Sequence, residues 1–396
     1  MKKRIISASI IAAAFGVSVP AMALDVTPYG AIRVGTWWTS SQYYAYPGAT
    51  ATANAPKPGT IQNDADFTLD LQGDSLVGVR VKEGDFSAVA EMGAYNPKAR
   101  QNGVELRLLF GEWNFGSGKL RVGYAPSPYV FRSEQVYDAD GGFNGYASLW
   151  DGRYAQIKVT MNNGLYLTLM KQSVGGTGSY FTTNTLGGWQ NTPFNMTAYS
   201  YASTSTNFDT YFPKTILGYE GKAGIVTYGG GAAGNFYKVT QTNADVVASR
   251  DEIYSYLAFA HATVDLAPIQ LKFHGYTGQN VGNLMANGAA PGNGTQLGSY
   301  YNAGSKRNCY TYGGFGQIGY TLNNKIKMFT GVAYESNEMR KRATDDRMSA
   351  FANLQYAVTK NFKVVPEFSY LNDMRSSTGQ KEPRVYAAGI KWEMTF

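Results

Sequence analysis

Residues 386–396, YAAGIKWEMTF, end the chain on a strict alternation: Tyr386, Ala388, Ile390, Trp392, Met394 and Phe396 interleave with Ala387, Gly389, Lys391, Glu393 and Thr395. A period of two places the first set on one face of a β-strand and the second on the other. One face is greasy and the other polar. That pattern fits a strand with lipid on one side and water on the other, the alternative being a half-buried strand of a soluble sandwich. The preceding segment repeats it, with Phe362, Val364, Pro366, Phe368 and Tyr370 facing one way and Lys363, Val365, Glu367 and Ser369 the other. Tyr386, Ile390, Trp392, Phe362, Val364 and Phe368 are thus assigned outward, and Lys363, Lys391 and Glu393 inward. On this reading Val364→Arg impairs folding far more than Val365→Arg.

The connections on either side differ in length. Asn372 to Arg384 is a long polar stretch, whereas Thr359, Lys360 and Asn361 make a tight link back to Ala350–Val358. Other tight turns are read at Glu83–Asp85, Gly116–Gly118, Asn162–Gly164, Gly221–Gly224, Ala267–Pro268 and Asn323–Asn324. Long loops are read at 40–66, 125–150, 173–210, 238–250, 279–307 and 335–347, more than a soluble domain usually carries. The strand count is about sixteen, with 14 and 18 as the neighbouring even counts. The facing of the strands near Arg153 and near Ile253 stays open. The fold class is therefore all-β: a transmembrane antiparallel β-barrel with short periplasmic turns and long extracellular loops.

Composition agrees. Among 396 residues there are 46 Gly and 30 Tyr, with 14% aromatic and only 16% charged residues. No segment beyond the N-terminus approaches the 18 or so consecutive apolar residues of a spanning helix. Residues 1–23, with Lys2, Lys3 and Arg4, an apolar run from Ile5 to Val19 and the triplet Ala21, Met22, Ala23, read as a signal peptide, leaving 24–396 as one barrel domain. The formal charge of +7 includes those three basic residues, so the remainder is only mildly basic. The single Cys309 allows neither an intrachain disulfide nor a cysteine metal cluster.

Catalysis finds little support. Only His261 and His274 are present. If Leu266 and Ala267 form the turn, His261 lies opposite Lys272, with His274 two residues along the same face, and no serine falls in register to complete a nucleophile and base. No enzyme activity, cofactor or metal is expected. The Gly-rich stretches 175–178 and 229–231 lack the Lys-Ser/Thr sequel of phosphate loops, and no nucleic acid is expected as partner. A barrel-embedded hydrolase and a secreted sandwich adhesin remain as rival readings, and a substrate-specific channel as a closer one.

Several stretches together resemble the general porins of Gram-negative bacteria. They are PYGAIRVG at 28–35, LVGVRVKEG at 76–84, FSAVAE at 86–91, FGSGKLRVG at 115–123 before the long third loop, and the terminal WEMTF at 392–396. The sequence departs from that family where Tyr124 replaces a frequent Arg, Arg33 a frequent acid, and DADGG at 138–142 the usual Pro-Glu-Phe-Gly-Gly. The resemblance implies a homotrimer in outer-membrane lipid, a third loop folded into the lumen, and passage of ions and small hydrophilic solutes. It also implies that the outer-membrane assembly machinery recognises Phe396.

Alternation turns Arg80, Lys82, Arg107, Lys119 and Arg121 inward, Arg107 on condition that Leu106, Leu108 and Phe110 face lipid. By resemblance these form the basic side of a constriction. Arg153 joins them as a wall arginine against the apolar phase of its own strand. Glu134, Asp138 and Asp140 on the third loop form the acidic side. Basic groups outnumber acids in this set, which predicts a weak anion preference. Arg340, Lys341, Arg342 and Arg347 are read as an extracellular basic run facing solvent or lipopolysaccharide phosphates.

Overall fold

The computed structural model describes residues 24–44, 61–94, 103–137, 141–147, 149–150, 152–172, 204–243, 246–284, 307–375, 379 and 381–396. Residues 1–23, read above as a signal peptide, lie outside them.

Eighteen strand segments follow one another: β1 (Asp25–Tyr44), β2 (Ile61–Leu71), β3 (Leu76–Glu83), β4 (Phe86–Ala94), β5 (Val104–Asn114), β6 (Gly118–Pro126), β7 (Arg153–Met161), β8 (Leu165–Met170) and β9 (Thr204–Thr210). The series continues with β10 (Lys214–Ala223), β11 (Val226–Asn243), β12 (Val246–Leu266), β13 (Ile269–Gln279), β14 (Cys309–Thr321), β15 (Ile326–Met339), β16 (Asp345–Ala357), β17 (Phe362–Arg375) and β18 (Arg384–Thr395). Both β2 and β3 pair with β1, one above the other, and both β9 and β10 pair with β11, so each couple is one interrupted strand. The result is a closed antiparallel barrel of sixteen strands, sealed where β1 meets β18 from Ala31↔Thr395 to Gln42↔Arg384. The terminal residue extends the seam: Gly30 N–H donates to Phe396 O at 3.0 Å and Phe396 N–H to Gly30 O at 3.1 Å. The Phe396 ring lies where a Cβ on Gly30 would stand. Closure leaves no free sheet edge along this seam.

All the tight turns read from sequence fall at one end of the barrel, the turn end. Asn162 and Gly164, the latter with φ +95°, show the local logic, since a positive φ suits a residue without a Cβ. The other end, the loop end, carries the long connections. Two depart from expectation. Residues 238–243 and 246–250 are strand, because β11 and β12 stay paired as far as Asn243↔Val246, and 335–347 is reduced to the connection 340–344, because β15 and β16 pair from Glu335↔Arg347 to Asn337↔Asp345.

Outside, the barrel is apolar all round: Leu69, Val122, Leu167, Phe273, Val332 and Trp392 are each at least 39% exposed and come from strands spread around the circumference. Facing along β17 and β18 is as the alternation gave it. The two open strands are also settled: Ala155 and Ile157 point out while Gln156 and Lys158 point in, and Tyr254 and Tyr256 point out while Ile253 and Leu257 point in. One expectation changes. Val365 faces inward but is fully buried, in a cluster with Trp37, Tyr137, Phe143 and Phe351, so an arginine there meets packed rings rather than water.

Candidate functional site

Between β6 and β7, the described loop residues 127–137, 141–147, 149–150 and 152 turn into the barrel and pack on the inner wall. Tyr129 and Leu149 bury against Tyr166, Met170, Ile216, Leu257 and Phe259, while the Phe143 ring lies tilted at 5.1 Å from Phe315 and edge-on at 5.3 Å to Phe351. Burying such side chains contributes about 1.5–3 kcal/mol each. This covering explains the inward aromatics of β14–β16. A second inward piece follows β13: Val281 and Leu284 are fully buried beside Tyr129, whose hydroxyl donates to Leu284 O, and Asn235 Nδ2 donates to Asn283 O at 3.0 Å.

Polar contacts fix the third loop in register. Buried Glu367 accepts from the backbone N–H of Val136 at 2.7 Å and of Tyr137 at 2.8 Å, from Asn353 Nδ2 at 2.9 Å and from the Ser369 hydroxyl at 2.8 Å. Tyr146 donates to Asp373 Oδ1 at 2.5 Å; burial, then the neighbouring carboxylate, pushes its phenol well up and keeps it neutral. Glu134 pairs with Lys272 Nζ at 2.7 Å and accepts from Gln355 Nε2 at 3.2 Å. Burial works against its ionisation, but Lys272 and Gln355 outweigh it and hold the carboxyl below the ordinary range.

The expected acidic residue Glu134 therefore faces the wall of β13 and β16, not the basic side. Asp138 and Asp140 lie outside the described residues. On the opposite wall Arg80 and Lys82 point inward and are exposed, Arg80 with its guanidinium 4.0 Å above the Tyr29 ring. Arg107 is inward and 7% exposed, paired with Glu91 at 2.8 Å. Its stated condition fails in part: the β4–β5 register shifts next to Leu106, so Leu106, Leu109 and Trp113 face out whereas Phe110 faces in, beneath Arg121 at 4.4 Å. The bulge changes the phase between Arg107 and Leu109. Lys119 is inward and exposed, and Arg121 pairs with Glu112 at 3.0 Å. Arg153 starts its strand after Gly152, whose φ is +82°; its guanidinium stands 3.4 Å from Glu105 and 5.2 Å from the Trp150 ring, which Arg132 approaches at 4.8 Å. Arg80, Arg107, Lys119, Arg121 and Arg153 thus share one side of the lumen, and sequence reading missed their acidic neighbours Glu91, Glu105 and Glu112. These occupy inward positions of apolar strands, where alternation marks them.

Two other expectations are corrected. His261 pairs directly with His274, because the turn is Ala267–Pro268 rather than Leu266–Ala267, and Phe131 of the third loop stacks on His261 at 4.5 Å. Arg340, Lys341 and Arg342 are exposed at the loop end, but Arg347 points into the barrel and pairs with fully buried Glu335 at 2.6 Å.

No family model matches the sequence, and no curated protein matches it. Solved structures do. The outer membrane channel DcaP of Acinetobacter baumannii matches at TM-score 0.60 and 11% identity over 95% of this chain and 99% of that one. OmpT, an outer membrane protein of Vibrio cholerae solved in a trimer form, matches at 0.53 and 13% over 95% and 100%. An anion-selective porin from Comamonas acidovorans matches at 0.52 and 11% over 94% and 100%. At these identities the likeness is one of fold, and the chain has the fold of the outer-membrane porins and channels, a closed sixteen-stranded barrel with its third loop inside.

Proposed function

We propose that this protein is an outer-membrane porin, a water-filled channel through which ions and small hydrophilic solutes diffuse passively. The observation that carries this is the pairing of an apolar outer face with a charged inner wall that the third loop narrows without replacing. Lipid accepts a spanning sheet only if it closes on itself, and charge inside such a barrel needs water. The reading includes a cleaved signal peptide at 1–23, a homotrimer, as in the trimer form of OmpT, and contact with lipopolysaccharide through Arg340, Lys341 and Arg342.

Arg80, Lys82, Arg107, Lys119, Arg121 and Arg153 line the basic side of the passage, and Glu134, Asp138 and Asp140 carry the acidic charge of the loop. Opposed charges across a narrow aqueous path filter solutes by polarity; Arg107, Arg121 and Arg153 are offset by Glu91, Glu112 and Glu105, so the weak anion preference rests on the exposed Arg80, Lys82 and Lys119. A substrate-specific channel is the second reading, favoured by the inward segment 280–284, which fills more of the lumen than the third loop alone. Recordings in planar bilayers test the proposal: stepwise conductance with a zero-current potential of anionic sign supports it, and absence of channels from correctly folded protein refutes it.

A further inference from the structure

The break between β2 and β3 is an insertion, and it points inward. Ala31 pairs with Leu76 and Val34 with Leu71, so β1 advances three residues where its partner advances five. Ordinary bulges add one residue; this one adds two. The added length carries Gln72, Gly73, Asp74 and Ser75 into the lumen, where Gln72 and Ser75 are each 6% exposed. Gln72 Nε2 donates to Val136 O, at the tip of the third loop, at 3.2 Å. The N–H of the same Val136 donates to Glu367 on β17, one strand beyond β18 from β1, at 2.7 Å. Val136 is thus held by both its carbonyl and its N–H. Gly73 O accepts from Arg107 Nη1 at 3.0 Å, and Asp74 pairs with Lys391 at 2.7 Å and Arg33 at 3.4 Å. Arg33 and Lys363 also pair with Glu393, at 2.5 and 3.0 Å.

We propose that the inward insertion Gln72–Ser75 is a latch that holds the tip of the constricting loop from the side of β1, with Asp74 as a positioning residue that also sets the charge of the passage beside it. Without Asp74 the group of Arg33, Lys363, Lys391 and Glu393 keeps three cations and one anion. The proposal rests on the porin reading, and its test separates the two: a parent protein that forms no channels overturns the porin reading, whereas variants identical to a conducting parent overturn the latch.

Single-channel recordings of the full chain supply the test, with heat-modifiable migration on gels as the check of folding. Gln72→Ala should raise mean conductance and current noise with little change in zero-current potential. Asp74→Asn should shift that potential towards anions, and Asp74→Glu should restore it. Deleting Gly73 and Asp74 together, which returns the strand to plain register, should do both. If the deletion does not fold, the substitutions decide alone. Parental conductance and noise in Gln72→Ala, or a parental potential in Asp74→Asn, overturn the latch.

Discussion

Glu367→Gln tests how the third loop is held. The carboxylate accepts from two backbone N–H groups of the loop tip, those of Val136 and Tyr137, from inside a site where it is 5% exposed. A glutamine amide offers one oxygen, so one of the two N–H groups then faces an NH2 group. A buried donor left unsatisfied costs about 1–3 kcal/mol, and the surviving bond loses its charge assistance, for a total of about 2–4 kcal/mol. At about 1.4 kcal/mol per tenfold, the docked tip is disfavoured by roughly 30- to 700-fold. The remainder of the loop stays, because Phe143 and Tyr129 are fully buried and Glu134 keeps Lys272. The barrel should therefore migrate as parent on unheated gels while single-channel records show frequent transitions between conductance levels. Records with parental conductance and noise would refute the argument that Glu367 holds the tip.

Three further outcomes follow from the same geometry. Val364→Arg puts a charge on the outer face near the turn end, at a cost between the about 0–1 kcal/mol of the interface and the about 2–4 kcal/mol of the midplane, and should lower refolding yield in lipid more than Ser87→Arg, which also lies near a tight turn but faces the lumen; equal yields contradict the facing. Replacing Arg80, Lys82 and Arg107 together by Ala should move the zero-current potential towards cations, and Asp138→Asn with Asp140→Asn should move it towards anions; unchanged potentials in both remove these residues from the constriction. Deleting Phe396 removes the residue that exchanges two backbone bonds with Gly30 and should leave the protein periplasmic and protease-sensitive, an outcome contradicted by normal surface yield.

Much of this architecture was legible in the chain. The terminal alternation gave the correct facing of β17 and β18, and turn chemistry placed the turn end. What alternation could not show is that an inward face need not be wet. Val365, Phe315 and Phe351 face inward and are dry because the third loop covers them. Register also escaped wherever a strand gains residues. The shift next to Leu106 turned Phe110 inward, and the insertion at Gln72–Ser75 brought Asp74 to Arg33, pairing a basic residue that stands where the resembled family often has an acid. Glu91, Glu105 and Glu112 were visible in principle, since a carboxylate at an inward position of an apolar strand needs a cation nearby.

A porin gives a water-filled path across a membrane, and liposome swelling measures that path. Vesicles containing the purified protein should swell in solutions of small sugars, at rates that fall steeply with solute size because the third loop and residues 280–284 narrow the lumen. Swelling no faster than that of protein-free vesicles, from protein shown to be folded and inserted, would contradict the porin reading.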